Sequence, residues 1–155
     1  MKKILKNYRK NHNGELLINL LVSLAIIGIL TVFSIPFFKN YQPNLKLSLT
    51  AKELTNDLRY IQQQTITEQK IHMIQISTST KSYNLLKFDT ATSTLKSVIL
   101  PAEISFFSLT GFTNDIVKFN SYGAAYESGD IILVNTSSST KTINIKPSGY
   151  VKLQQ

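Results

Sequence analysis

Glu15-Leu16-Leu17-Ile18-Asn19-Leu20-Leu21-Val22-Ser23-Leu24-Ala25-Ile26-Ile27-Gly28-Ile29-Leu30-Thr31-Val32-Phe33-Ser34-Ile35-Pro36 is the stretch that decides the architecture of this chain. From residue 16 to residue 38 no side chain is charged, a run of 23 residues. As a helix that run extends roughly 34 Å at about 1.5 Å per residue, enough for a hydrocarbon core about 30 Å thick. Lys2, Lys3, Lys6, Arg9 and Lys10 stand just before it, and Gly14 closes that basic leader. Such a flank predicts a single pass through the cytoplasmic (inner) membrane, with the N-terminus inside and the rest of the chain outside. A secretory signal would have a shorter apolar region, about 7–15 residues, ending at a small-x-small pair. Phe33-Ser34-Ile35-Pro36 offers no such pair. An uncleaved anchor carrying an extracytoplasmic binding domain fits the span by itself.

The 155 residues suffice for one modest domain besides this helix. The net charge of +8 suggests an anionic partner, but its distribution argues otherwise. Five of the 17 Lys and Arg precede the apolar run, which leaves 12 against nine Asp and Glu, or +3. Cysteine is absent, which excludes a disulfide framework and thiolate metal sites. The histidines are His12 and His72; the second sits on the apolar-looking face of a strand pattern and reads as structural or as an edge residue. Gly111, Gly123, Gly129 and Gly149 stand singly, as turn glycines do, and form no phosphate-cradling loop. Neither a nucleophile elbow nor a His-Glu-x-x-His pair occurs, so neither an enzyme nor a cofactor is expected. Glu53 and Asp57 lie four apart on a helical pattern. Two carboxylates are too few oxygens for a hard cation, and solvated side chains are expected there.

Beyond the span the pattern is α+β. Leu47, Ala51, Leu54, Leu58, Ile61 and Thr65 recur at helical spacing, which predicts an amphipathic helix over residues 39–70. With the apolar segment 15–38 it would form one long, bent rod, its second half docked on a β-rich domain over residues 71–155. His72, Ile74 and Ile76 alternate with Met73, Gln75 and Ser77, as in a strand. Further strands are expected at 83–88, 95–100, 104–107, 116–120, 130–135, 142–146 and 150–153, in a mainly antiparallel sheet because the connections are short. The Ser/Thr runs 77–82 and 136–142 read as loops.

The N-terminal residues closely resemble type IV prepilins and type II secretion pseudopilins. Leu20-Leu21-Val22 and Ala25-Ile26-Ile27-Gly28-Ile29-Leu30 align without a gap, and Gly28 and Pro36 fall where those proteins commonly have Gly and Pro. The resemblance implies a leader over residues 1–14, cut between Gly14 and Glu15 by a prepilin peptidase, and N-methylation of Glu15. It further implies a filament-core helix containing Asn19, Gly28 and Pro36 that can lose helical order between Gly28 and Pro36 in the filament. Two positions depart from the pattern: Glu15 replaces the usual Phe or Met, and Asn19 replaces the usual Glu. An unpaired charge at membrane depth costs at least about 2.5–3.5 kcal/mol, which leaves three readings: the carboxylate of Glu15 offsets its own new amine, the subunit sits at a filament tip with no amine above it to partner, or Asn19 hydrogen-bonds across a helix interface.

Asp57-Leu58-Arg59-Tyr60-Ile61-Gln62, Phe119-Asn120-Ser121-Tyr122-Gly123 and Ser148-Gly149-Tyr150-Val151 resemble the GspH/FimT-type minor pilin branch. That branch implies a pilin fold, a role in priming or capping a pilus or secretion filament, and partners that include other pilin subunits, the peptidase and an inner-membrane assembly platform. Some of its members bind DNA through a basic C-terminal stretch. Lys141, Lys146 and Lys152 are the only candidates here, too few for firm phosphate neutralisation.

Overall fold

The structure, a computed structural model, describes residues 13–154, with backbone alone for residue 13 and residues 34–40. The leader cations Lys2, Lys3, Lys6, Arg9 and Lys10 lie outside the described residues. The chain divides between Lys39 and Asn40 into two compact units.

Helix α1 (Asn13–Glu68) carries helical backbone through both. The segments expected as 15–38 and 39–70 are thus one element, because neither Pro36 nor Pro43 interrupts the helix. In the first unit, Gly14–Phe33 has a mean hydropathy of 2.7 and none of it is buried. Its hydroxyls are satisfied within the helix: Ser23 Oγ donates to the Asn19 carbonyl at 2.7 Å and Thr31 Oγ1 to that of Ile27 at 2.8 Å.

In the second unit the helical spacing read from the sequence becomes the core. Leu47, Ala51, Leu54, Leu58, Ile61 and Thr65 are all buried. Thr55 and Thr65 donate to the carbonyls of Ala51 and Ile61, so their hydroxyls are not orphaned. Gln69, at φ 54°, ends the helix in the left-handed region.

Eight strands follow: β1 (Ile71–Ser77), β2 (Ser82–Phe88), β3 (Thr92–Ile99), β4 (Ile104–Thr110), β5 (Ile116–Phe119), β6 (Gly129–Asn135), β7 (Thr140–Ile145) and β8 (Val151–Gln154). They form two four-stranded sheets, ordered β3-β2-β1-β5 and β4-β6-β7-β8, with every pairing antiparallel. The sequence suggested one sheet. Pro101 cannot donate to a ladder and separates β3 from β4; the chain turns there, with Ile104 N–H on the Pro101 carbonyl at 2.9 Å, and β4 pairs with β6 instead. The two sheets share one core with α1, built from residues such as Ile74, Leu85, Val117, Phe119, Ile131, Leu133, Ile143 and Val151.

Three local expectations are corrected. Thr140 to Thr142 belong to β7, so the loop expected over 136–142 is only a turn, closed by Asn135 Oδ1 accepting from Ser137 and Ser139 N–H. Ser77 and Ser82 pair with each other at the end of the β1–β2 hairpin and lie outside the loop proper. His72 is fully buried on β1, between β2 and β5, and therefore not at a sheet edge.

Candidate functional site

The residues singled out in the first unit all lie on α1. Gly14 and Glu15 occupy its first turn, where the partial positive charge of a helix N-terminus favours an acidic side chain. Asn19 follows one turn later, exposed like its neighbours. Gly28 is not required by packing within the chain: a Cβ there would meet nothing within 4 Å. Pro36 lies inside the helical span, and its side chain is outside the described residues.

In the second unit the acidic side chains other than Asp115 are already engaged. Lys96 Nζ contacts both oxygens of Asp57, at 3.1 and 2.8 Å, and Glu53 at 3.2 Å. Tyr83 OH donates to Asp57 Oδ2 at 2.8 Å. Glu53 and Asp57 are thus neither simply solvated nor a cation site, because a lysine from β3 fills the space between them. The hydrogen bond to Asp57 raises the Lys96 ammonium, while burial first and then that same carboxylate push the Tyr83 phenol far above its ordinary value. At the far end of α1, Glu68 pairs with Lys87 at 2.5 Å, which lowers the carboxyl and raises the amine. Lys70 holds Asp89 low, Lys46 holds Glu103 low at 2.5 Å, and two hydrogen bonds from Thr113 hold Glu127 low. Asp130 accepts from Asn144 Nδ2 at 2.7 Å.

His72 Nδ1 lies 3.1 Å from the Lys70 carbonyl. A carbonyl oxygen only accepts, so Nδ1 carries the hydrogen. Nε2 faces Glu68 Oε2 at 3.5 Å without a hydrogen bond. Among the described residues no group of three or more His, Cys, Asp or Glu could hold a metal ion.

The polar stretch Arg59 to Gln62 works as a clasp on the start of β8 and on the turn at Gly123. Arg59 Nη2 donates to the Val151 carbonyl at 2.9 Å and Gln62 Nε2 to the Gly123 carbonyl at 2.6 Å. Gly123 and Gly149 both adopt positive φ and approach so closely that a Cβ on Gly149 would lie 1.9 Å from the Gly123 oxygen. The sequence displayed these residues as motif letters but not their mutual contact. The C-terminal lysines do not converge. Lys141 lies within β7 and Lys146 just after it, Lys146 sits 5.9 Å over the Tyr150 ring, and Lys152 on β8 lies opposite Asn144.

An apolar N-terminal helix that continues as the packed helix of an antiparallel two-sheet unit is the pilin fold. The comparison with solved structures shows this. The minor pseudopilin EpsH from the Type 2 Secretion System of Vibrio cholerae superposes with a TM-score of 0.61 at 10% identity, over 70% of this chain and 96% of that one. The type IV minor pilin FimU of Pseudomonas aeruginosa superposes with a TM-score of 0.62 at 13% identity, over 74% of this chain and 92% of that one. At such identities the likeness is one of fold. No protein-family model matches the sequence, and no curated protein matches it.

Proposed function

We propose that this chain is a non-enzymatic minor pilin or pseudopilin. It is inserted in the cytoplasmic membrane, cut between Gly14 and Glu15 by a prepilin peptidase, methylated on Glu15, and drawn by an inner-membrane platform into a type IV pilus or type II secretion-like filament that it primes or caps. The observation that carries this reading is α1 itself. One element joins a wholly exposed apolar stretch, Gly14–Phe33, to the helix at the centre of a pilin-fold core. In lipid the exposed stretch is solvated by acyl chains. In a filament the same side chains would pack on neighbouring helices, and the bare backbone at Gly28 would permit close approach.

The DNA-receptor alternative gains nothing from the separated Lys141, Lys146 and Lys152. The deciding experiment is the N-terminal sequence and mass of the membrane-extracted protein, with and without a functional prepilin peptidase. A mature chain beginning at Glu15 only when the peptidase is active supports the reading. A chain retaining Met1 to Gly14 beside active peptidase refutes it and leaves an anchored extracytoplasmic domain.

A further inference from the structure

A cleft of about 700 Å³ opens between the C-terminal half of α1 and the β7–β8 turn, lined by Arg59, Gln62, Gln63, Ile66, Ser148 and Tyr150 among others. Its lining contains no carboxylate. Arg59 is exposed and makes no ion pair; it donates to the Val151 carbonyl. The reason lies on the same helix. The three carboxylates of α1 within this unit are Glu53, Asp57 and Glu68, and Lys96 and Lys87 hold all of them. Lys146, which is not part of the lining, lies 5.9 Å over the Tyr150 ring and likewise makes no ion pair. Ile66 is 44% exposed and Tyr150 55%, so the cleft also presents apolar surface to solvent.

We propose that this cleft docks an acidic segment of another polypeptide, with a carboxylate on Arg59 and an apolar side chain against Ile66 and Tyr150. A guanidinium fork that has spent one nitrogen on a carbonyl still has donors for a carboxylate, and such charge-assisted pairs are the stronger hydrogen bonds. The amides of Gln62 and Gln63 and the Ser148 hydroxyl suit an extended peptide backbone. A nucleic acid fits less well, because two cations neutralise too few phosphates. A second copy of this chain fits less well too. Among the described residues beyond Lys39, its Asp and Glu side chains are engaged by the contacts described above, apart from Asp115. The inference stands on this unit alone and does not depend on cleavage at Gly14.

The test titrates the full chain in nanodiscs into a fluorescent peptide that alternates leucine or tyrosine with aspartate. The matched peptide carries asparagine in place of aspartate. The acidic peptide should bind at least about tenfold tighter than the amide peptide, with the difference shrinking as salt rises. Arg59→Gln should remove that difference. Because Arg59 also holds β8, the decisive variant is Gln63→Glu. It is exposed, leaves the clasp intact, and places a carboxylate four residues from Arg59 on the same helix face. It should weaken the acidic peptide about tenfold while the unfolding midpoint stays put. Equal binding of both peptides, no binding of either, or indifference to Gln63→Glu would overturn the proposal. So would tighter binding of a single-stranded oligonucleotide, or a concentration-dependent dimer that displaces the peptide.

Discussion

Replacing Gly149 with alanine tests the closest backbone approach in the second unit. Gly149 has φ +82°, where an L side chain costs about 1–2 kcal/mol. The added Cβ would also lie 1.9 Å from the Gly123 oxygen and 2.5 Å from Gln62 Nε2. Ordinary contact begins near 3.4 Å, so the Gly123 peptide must retreat by roughly 1.5 Å (3.4 less 1.9). That retreat breaks the 2.6 Å bond from Gln62, worth about 1 kcal/mol, and adds strain of about 1 kcal/mol or more. The expected loss is about 3–4 kcal/mol. For a unit of roughly a hundred residues this corresponds to a fall in Tm of about 14–19 °C. The assay is thermal unfolding of the full chain followed by near-ultraviolet circular dichroism of its tyrosines, with Gly28→Ala as control. At Gly28 a Cβ meets nothing, and the midpoint of the globular unit should not move. A loss below about 1 kcal/mol for Gly149→Ala would show that the two turns yield freely and that the close approach is not structural.

Lowering the pH should destabilise the globular unit. Glu68, Asp89, Glu103 and Glu127 are all depressed, so the unfolded chain binds more protons, and stability, complete above about pH 5, falls as pH drops below about 4; a Tm that is flat down to about pH 2 would contradict this. Lys87 and Lys96 are raised, so their contribution is complete below about pH 10.4 and fades above it as the amines deprotonate in the fold. Lys96→Met should cost about 1 kcal/mol in urea unfolding, since Asp57 loses its cation but keeps Tyr83, and solvent screens the rest of the effect. On the proposed filament role, and with Glu15 offsetting its own amine, Asn19→Glu should leave filament assembly unchanged, while Glu15→Ala should abolish it with cleavage after Gly14 intact. Assembly that improves with Asn19→Glu, measured in the sheared filament fraction, would show that Glu15 does not offset its own amine.

Most of the architecture was legible because two periodicities survive in the sequence. The four-and-three spacing from Leu47 to Thr65 placed on one face the side chains that are buried, and the alternation in His72, Ile74 and Ile76 identified the inward face of β1. Legibility failed where geometry breaks a period. β4 runs on to Thr110, past the expected end at residue 107, because its register shifts between Phe106 and Ser108. A bulge inserts one residue and reverses the in–out order beyond it, so Leu109, which strict alternation from Ile104 and Phe106 would turn outward, packs against the core. β3 begins at Thr92 with Thr-Ser-Thr, and as an exposed edge strand it carries no apolar signal there. The division into two sheets was illegible for a different reason. Short connections fix antiparallel neighbours only when the chain turns back on the strand it has just left, and at Pro101 it does not.

Charge shows a sharper limit on what a sequence displays. Arg59 stands two residues after Asp57 and six after Glu53, and local sequence alone would give it an acidic neighbour. On a helix, however, residues two apart do not face each other. Both carboxylates turn toward the side of α1 where β3 brings Lys96, while Arg59 turns toward β8. Lysine spacing misleads in the same way: Lys146 and Lys152 are six apart, yet one stacks on Tyr150 and the other projects from β8 beside Asn144. The fold therefore divides a modest cationic surplus into neutral pairs and a few isolated cations. An isolated guanidinium beside exposed Ile66 and Tyr150 can select a single carboxylate next to an apolar side chain, a discrimination that a dispersed lysine patch cannot supply.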